Sequence, residues 1–224
     1  MLQFFAKYKT LAIVLFLLSV VIVTVIYTLK KPTPRLPVYQ PSMVNTELVD
    51  TTVQYVRKYH KIADFELLNQ NGETITGEFY DDYIYVADFI FTTCLDICPV
   101  MTDNMLRIQD KIKDDPEVLL LSHTVFPEVD SVPVLKKYAL EKGVIDSKWN
   151  LVTGDKKHIY DLARKSYLVS KDDGDGGPYD MIHTENFVLV DKTKRIRGYY
   201  DGTDSKAIDE LLKDIEILKG EYRK

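Results

Sequence analysis

Only two cysteines occur in the chain, Cys94 and Cys98, and they sit in Phe91-Thr92-Thr93-Cys94-Leu95-Asp96-Ile97-Cys98-Pro99, directly after an apolar, strand-like run and directly before a helix-like one. A disulfide closing so short a loop would constrain the unfolded chain very little, because loop-closure entropy grows with loop length. The pair therefore reads as chemistry, metal or redox, rather than as a structural staple. Two thiolates at the mouth of a helix can chelate a soft ion such as Cu(I). Unpaired backbone N–H groups in the first helical turn, together with the positive end of the helix dipole, also stabilise a thiolate, so one thiol should ionise more easily than a free cysteine. Both uses remain open on the residues alone. Asp96 is a candidate outer ligand or tuner of thiol acidity, and is equally well read as a solvated loop carboxylate.

The elements that must hold this pair can be traced from periodicity. Tyr83 to Phe91 is a buried strand delivering Cys94 at its carboxyl end. Pro99 suits a first helical turn, where its missing donor is harmless. Met101, Met105, Ile108 and Ile112 then follow at spacings of four, three and four, giving that helix one apolar face. Val118 to Leu121 reads as a second central strand. Ser131 caps a helix running through Leu140, and Asp155 caps one carrying Ile159, Leu162 and Ala163. Asn186–Val190 and Ile196–Tyr200 form a hairpin around Asp191-Lys192-Thr193-Lys194, and Ser205 opens a last amphipathic helix through Leu218. Strands alternating with helices predict an α/β domain with one mixed sheet covered on both faces.

Four histidines and a few methionines complete the inventory. His183 stands three residues before a predicted strand, at the end of the glycine-rich, aspartate-rich stretch Asp172 to Asp180, which has no packing pattern and is expected to be mobile. Calcium is not expected there, because Gly177 and Thr184 stand where an oxygen-ligand loop needs an acidic ligand and its closing glutamate. His60 precedes the expected domain, His123 ends a strand and His158 lies in the first turn of a helix; all three keep a structural reading. Met101 belongs to a core face, and Met181 has no pattern behind it.

Before the domain lies a segment of another kind. Leu11 to Leu29 is apolar except for Ser19, Thr24, Tyr27 and Thr28, and is flanked by Lys7, Lys9, Lys30 and Lys31. Nineteen residues at about 1.5 Å each reach nearly 30 Å, enough for a bilayer core. A cleaved signal peptide would be shorter and followed by a small-residue cleavage site, whereas Lys30-Lys31-Pro32-Thr33-Pro34 follows here, with no cysteine to carry a lipid. The reading is an uncleaved transmembrane anchor at 11–29, a short segment at 1–10 before it, a stiff proline-rich stalk at 30–50, and one globular domain at 51–224. Absence of an Arg-rich, Ser-rich transit sequence favours a bacterial cytoplasmic membrane over a mitochondrial inner membrane. A formal net charge of −5 with no basic block after the stalk gives nucleic-acid binding no support.

Taken together, the residues resemble the Sco/SenC family of membrane-anchored copper chaperones. The resemblance begins at Ile62-Ala63-Asp64-Phe65-Glu66-Leu67 with Asn71-Gly72, passes through Phe91 to Pro99, Ser131 to Ala139 and Trp149-Asn150-Leu151-Val152-Thr153-Gly154, and ends with Ile182-His183-Thr184-Glu185-Asn186 and Arg197-Gly198-Tyr199-Tyr200. It implies a thioredoxin-like fold outside the cytoplasm, here facing the periplasm, with Cys94, Cys98 and His183 as copper ligands. It also implies a role in assembling the dinuclear copper centre of a terminal cytochrome c oxidase, whose copper-containing subunit would be a partner beside a copper donor or a thiol reductase. Such a protein is a metallochaperone rather than an enzyme. Two places depart from the family pattern: Leu95, where many members carry proline, and the stretch around His123, where members often show an Asp-Pro pair and this chain has Ser122-His123-Thr124-Val125-Phe126-Pro127. The first removes no ligand, and no family role is carried over to the second.

Three alternatives stand beside copper delivery. A thiol–disulfide oxidoreductase would use Cys94 and Cys98 on a partner's cysteines, although their spacing exceeds the usual two-residue gap. A peroxidase would need a threonine three residues before its reactive cysteine, and Phe91 and Leu95 occupy those positions. A two-sulfur, one-nitrogen set would also accept zinc.

Overall fold

The computed structural model describes residues 2–29, 34–170 and 181–223. The chain divides into two compact units, residues 1–35 and 36–224. The first is one helix, α1 (Leu2–Leu29), in which Tyr8–Thr28 has a mean hydropathy of 2.8 and no buried share, making it a candidate membrane span by length and composition.

In the second unit seven strands form one sheet in the order β2-β1-β5-β4-β3-β6-β7. They are β1 (Glu66–Asn69), β2 (Thr74–Thr76), β3 (Ile84–Ile90), β4 (Val118–Thr124), β5 (Trp149–Thr153), β6 (Asn186–Val190) and β7 (Ile196–Asp201). Strands β3, β4 and β5 run parallel, with Val86 beside Leu120 and Ser122 beside Leu151. The other pairings are antiparallel. Strands β3 and β4 are buried along their whole length, as central parallel strands covered on both faces must be.

Alternation along β3 divides the core. Ile84, Val86 and Ile90 face a layer built by α2 (Ile97–Ile112), α3 (Val132–Lys142) and α5 (Ser205–Tyr222). Tyr85, Ala87 and Phe89 face the opposite layer, which includes α4 (Lys156–Asp161), the π-helical turn Leu162–Ser166, and the segment before β1. Met101, Met105 and Ile108 of α2 are fully buried, so the spacing read from the sequence gives the correct face. Gly143 ends α3 at φ 80°, a left-handed conformation in which glycine carries no Cβ penalty, and its N–H donates to Ala139 O at 3.0 Å.

Several expectations need correction. Helix α2 starts at Ile97, so Cys98 is already helical. Helix α5 does open at Ser205, and Asp204 before it supplies the cap, accepting from the Lys206 N–H. The stretch read as a stalk through residue 50 packs on the domain from Leu36: Arg197 donates to Leu36 O and Pro37 O, and Tyr39 N–H donates to Ile196 O at 2.9 Å. Arg197 is nearly fully buried among those carbonyls, Asp191 and Glu221, which fixes the incoming chain to the start of β7. His60, expected to precede the domain, is tied into it through Nε2 and Ser166 O at 2.7 Å.

Candidate metal and redox site

Strand β3 carries one charged residue, Asp88, among apolar ones and ends in the turn that presents the cysteines. After Ile90 the chain is held by Val125 N–H donating to Ile90 O at 2.8 Å, then folds back so that Cys94 N–H donates to Phe91 O at 3.2 Å. Cys94 is half-buried and Cys98, in the first turn of α2, is buried; both are free thiols. Leu95 between them is 96% exposed, so the tip of the loop projects into solvent.

The two sulfurs are hydrogen-bonded neighbours with opposite acidity. Burial raises the Cys94 thiol, but hydrogen bonds from the Cys98 side chain and from the backbone of Cys98, Asp96 and Ile97 outweigh it, so its pKa falls below the usual thiol value. Burial pushes Cys98 up to about 12, helped by its hydrogen bond to Cys94 and by the nearby charges of Cys94 and Asp88, against a Phe91 backbone bond. Asp96 occupies the N-cap position of α2 but makes no side-chain cap bond. The Cys94 sulfur takes the acceptor role that a capping side chain ordinarily fills. Asp96 is exposed, in keeping with a solvated loop carboxylate.

Sequence reasoning missed a polar layer beneath the thiols. The Asp88 carboxyl is fully buried; Ser122 donates to Oδ1, Trp149 Nε1–H donates to Ser122 Oγ at 2.9 Å, and Oδ2 has no partner among the described residues. Burial pushes Asp88 up to about 7, opposed by Ser122. Tyr138 of α3 shares a 2.7 Å hydrogen bond with Thr102 of α2, and burial, then the neighbouring Asp88 and Cys98 charges, raise it to about 12. A lone carboxylate in an otherwise apolar strand was the available signal.

His183 is exposed and lies at the same end of the sheet as the cysteines, its ring edge-on to Phe91 with centroids 6.2 Å apart and planes at 88°. It is not gathered with the sulfurs: among the described residues no group of three or more His, Cys, Asp or Glu side chains is close enough to hold a metal ion. The glycine-rich stretch 172–180 that was expected to carry it as a movable arm lies outside the described residues, as does the calcium question attached to it. His123 lies on the other face of the sheet, stacked on Phe89 at 4.8 Å, and burial lowers it to about 3. His158 lies in the first turn of α4, as expected. Met101 is core and Met181 is partly exposed. A cleft of about 820 Å³ lined by Tyr59, His60, Asp64, Asp81 and Lys194 contains neither cysteine.

A mixed sheet whose central parallel strand hands a cysteine to the mouth of a helix defines a thioredoxin-like domain bearing a dithiol site. More narrowly, the chain belongs to the SCO1/SenC family, whose model matches residues 53–219. A SCO1 protein homolog of Bacillus subtilis is 31% identical over 161 residues, 70% of this chain and 82% of its own. The solved structure of BsSco, described as a member of the Sco family of cytochrome c oxidase assembly proteins with a disulfide switch, superposes with a TM-score of 0.61 at 29% identity, covering 71% of this chain and 93% of the other. Arabidopsis thaliana ScoI, solved with copper bound, shares the fold at 24% identity and a TM-score of 0.55, covering 69% of this chain and 97% of its own.

Proposed function

We propose that this chain is a membrane-anchored copper metallochaperone that takes part in assembling the dinuclear copper centre of a terminal cytochrome c oxidase. The observation that carries the reading is the hydrogen-bonded pair Cys94 and Cys98 at the mouth of α2, one thiol eased toward ionisation by backbone N–H groups. Two sulfurs so placed are a ready chelate for Cu(I), while Cu(II) is better served when imidazole nitrogen is added. His183 supplies that nitrogen by moving from its place beside Phe91 toward the sulfurs. Copper is cargo here, gripped by the thiolates and released when the imidazole withdraws. Copper in the solved Arabidopsis ScoI and the oxidase-assembly role described for the BsSco family support the cargo and the target. The apolar stretch Tyr8–Thr28 serves as the anchor, with the domain on the periplasmic side of a bacterial membrane. The copper-containing oxidase subunit is the recipient, and a donor protein or thiol reductase supplies copper or electrons.

Thiol asymmetry favours a second, compatible activity. The half-buried Cys94 thiolate would attack a partner disulfide, releasing one partner thiolate; Cys98, giving up its proton, would then attack the Cys94 sulfur, closing the internal disulfide and leaving both partner thiols reduced. The experiment that separates the roles is His183→Ala. Cu(II) binding is expected to be lost while Cu(I) retention and dithiol–disulfide cycling persist, as read by metal titration and by exchange with a model disulfide. A variant binding both copper states like the parent would remove His183 from the ligand set.

A further inference from the structure

Asp130 lies in the loop between β4 and α3, is 0% exposed, and has no ion-pair partner among the described residues. Its carboxylate is held instead by three neutral donors. Oδ2 accepts the Thr92 N–H at 3.1 Å and the Thr124 hydroxyl, and Oδ1 accepts the Thr92 hydroxyl. Two of the three come from Thr92, two residues before Cys94, inside the fold-back closed by the Cys94 N–H and Phe91 O. The third comes from the last residue of β4. Asp130 is itself fixed from behind, its N–H donating to Phe126 O at 2.9 Å. One buried carboxylate therefore ties the loop carrying the first cysteine to the neighbouring central strand.

Hydrogen bonds to a charged acceptor are stronger than neutral ones and set direction as well as distance. Without this tie, the backbone between Ile90 and Ile97 would keep its strand-end bond and the turn bond at Cys94, and the Cys94 sulfur would keep its bonds to the start of α2, but nothing would join the loop to β4 through Thr92. Cys98 needs no such support, since it rides on α2. A chelate is tight only when both sulfurs are positioned before the metal arrives, because each freed backbone torsion must otherwise be ordered on binding.

We infer that Asp130 is the positioning residue for Cys94, holding its sulfur at chelating distance from Cys98 through Thr92. The inference rests on the copper reading proposed above. It predicts that Asp130 and Thr92 act as one unit.

The test uses reduced full-length protein in detergent, with Cu(I) affinity measured by competition against a chromophoric Cu(I) chelator and thermal stability measured in parallel. Asp130→Asn and Thr92→Val are each expected to weaken Cu(I) binding roughly tenfold or more, the range seen when outer-shell partners of metal ligands are changed. The double variant should be no weaker than the worse single, because both remove one tie. Sulfur-to-Cu(II) charge-transfer bands should broaden or shift in both. Asp191→Asn is the matched control: Asp191 is another buried carboxylate, at the β6–β7 turn, held by the hydroxyl and N–H of Thr193 and by Arg197. It should lose thermal stability yet keep parent affinity and band positions. The inference is overturned if the Asp130 and Thr92 variants keep parent affinity, if their effects on affinity multiply, or if Asp191→Asn weakens copper equally. Failure of the parent itself to retain Cu(I) would overturn the copper reading instead, which the same titration reports separately.

Discussion

Cys94 and Cys98 are separated by three residues, yet their surroundings drive their acidities in opposite directions. Cys94 faces the free N–H groups at the start of α2, whereas Cys98 is buried over apolar core with Asp88 behind it. Alkylation with iodoacetamide should therefore mark Cys94 first. At pH 8 the metal-free, reduced protein is expected to lose Cys94 roughly tenfold faster than Cys98, since the thiolate is the nucleophile and access follows exposure. Peptide mapping after brief labelling checks this, and equal rates would contradict the acidity assigned to the pair. The cysteines were legible from the sequence because a short loop between a strand and a helix leaves few structural uses for two thiols. His183 was not legible on its own spacing; only resemblance singled it out, and it lies beside Phe91 rather than on the sulfurs. Asp88, Thr92 and Asp130 were missed because their meaning comes from contacts between distant parts of the chain, Asp88 with Ser122 at a separation of 34 residues and Thr92 with Asp130 at 38.

Among the elements, β3 carries a carboxyl buried in the domain's core. An aspartate facing the α2 layer from a central strand has only Ser122 as a side-chain donor among the described residues, and burial raises its pKa from 3.8 to about 7. Because the folded state holds this proton more tightly than the unfolded chain, its contribution is fully present below about pH 4 and is lost as pH rises through 7. Relative to Asp88→Asn, the reduced, metal-free parent should lose up to about 4 kcal/mol between those limits and then run parallel. Urea unfolding of both proteins at pH 4, 5.5, 7 and 8 measures it, and curves parallel throughout would show that Asp88 stays ionised. The histidine on the opposite face, His123, works in the other direction but is common to both proteins. Strand β3, helix α2 and the β6–β7 hairpin were readable because their apolar periodicity is set by their own burial. Strands β1, β2 and β5 were not assigned. The first two have four and three residues, too short for a period to stand out, and β5 is buried at every position and displays no alternation.

At the scale of the whole domain, function separates by pole. Strand β3 ends toward Cys94, and β6 starts near His183, so the dithiol and the histidine gather at one end of the sheet. The chain enters at the other end, where Arg197 binds Leu36 and Pro37 beside the β6–β7 turn. The fold class was legible because strand and helix periods alternate along the chain, while the boundary of the domain was not: Leu36 is bonded to Arg197 and Glu221, 161 and 185 residues away. The sulfurs at the cysteine-bearing pole are proposed to bind copper. The direct measurement is absorption during anaerobic Cu(II) titration of the reduced parent, Cys94→Ser and Cys98→Ser. A sulfur-to-Cu(II) charge-transfer band saturating at one equivalent in the parent, and lost in both variants, is the expected result. A parent that develops no such band and surrenders copper to a modest competing chelator would contradict the account.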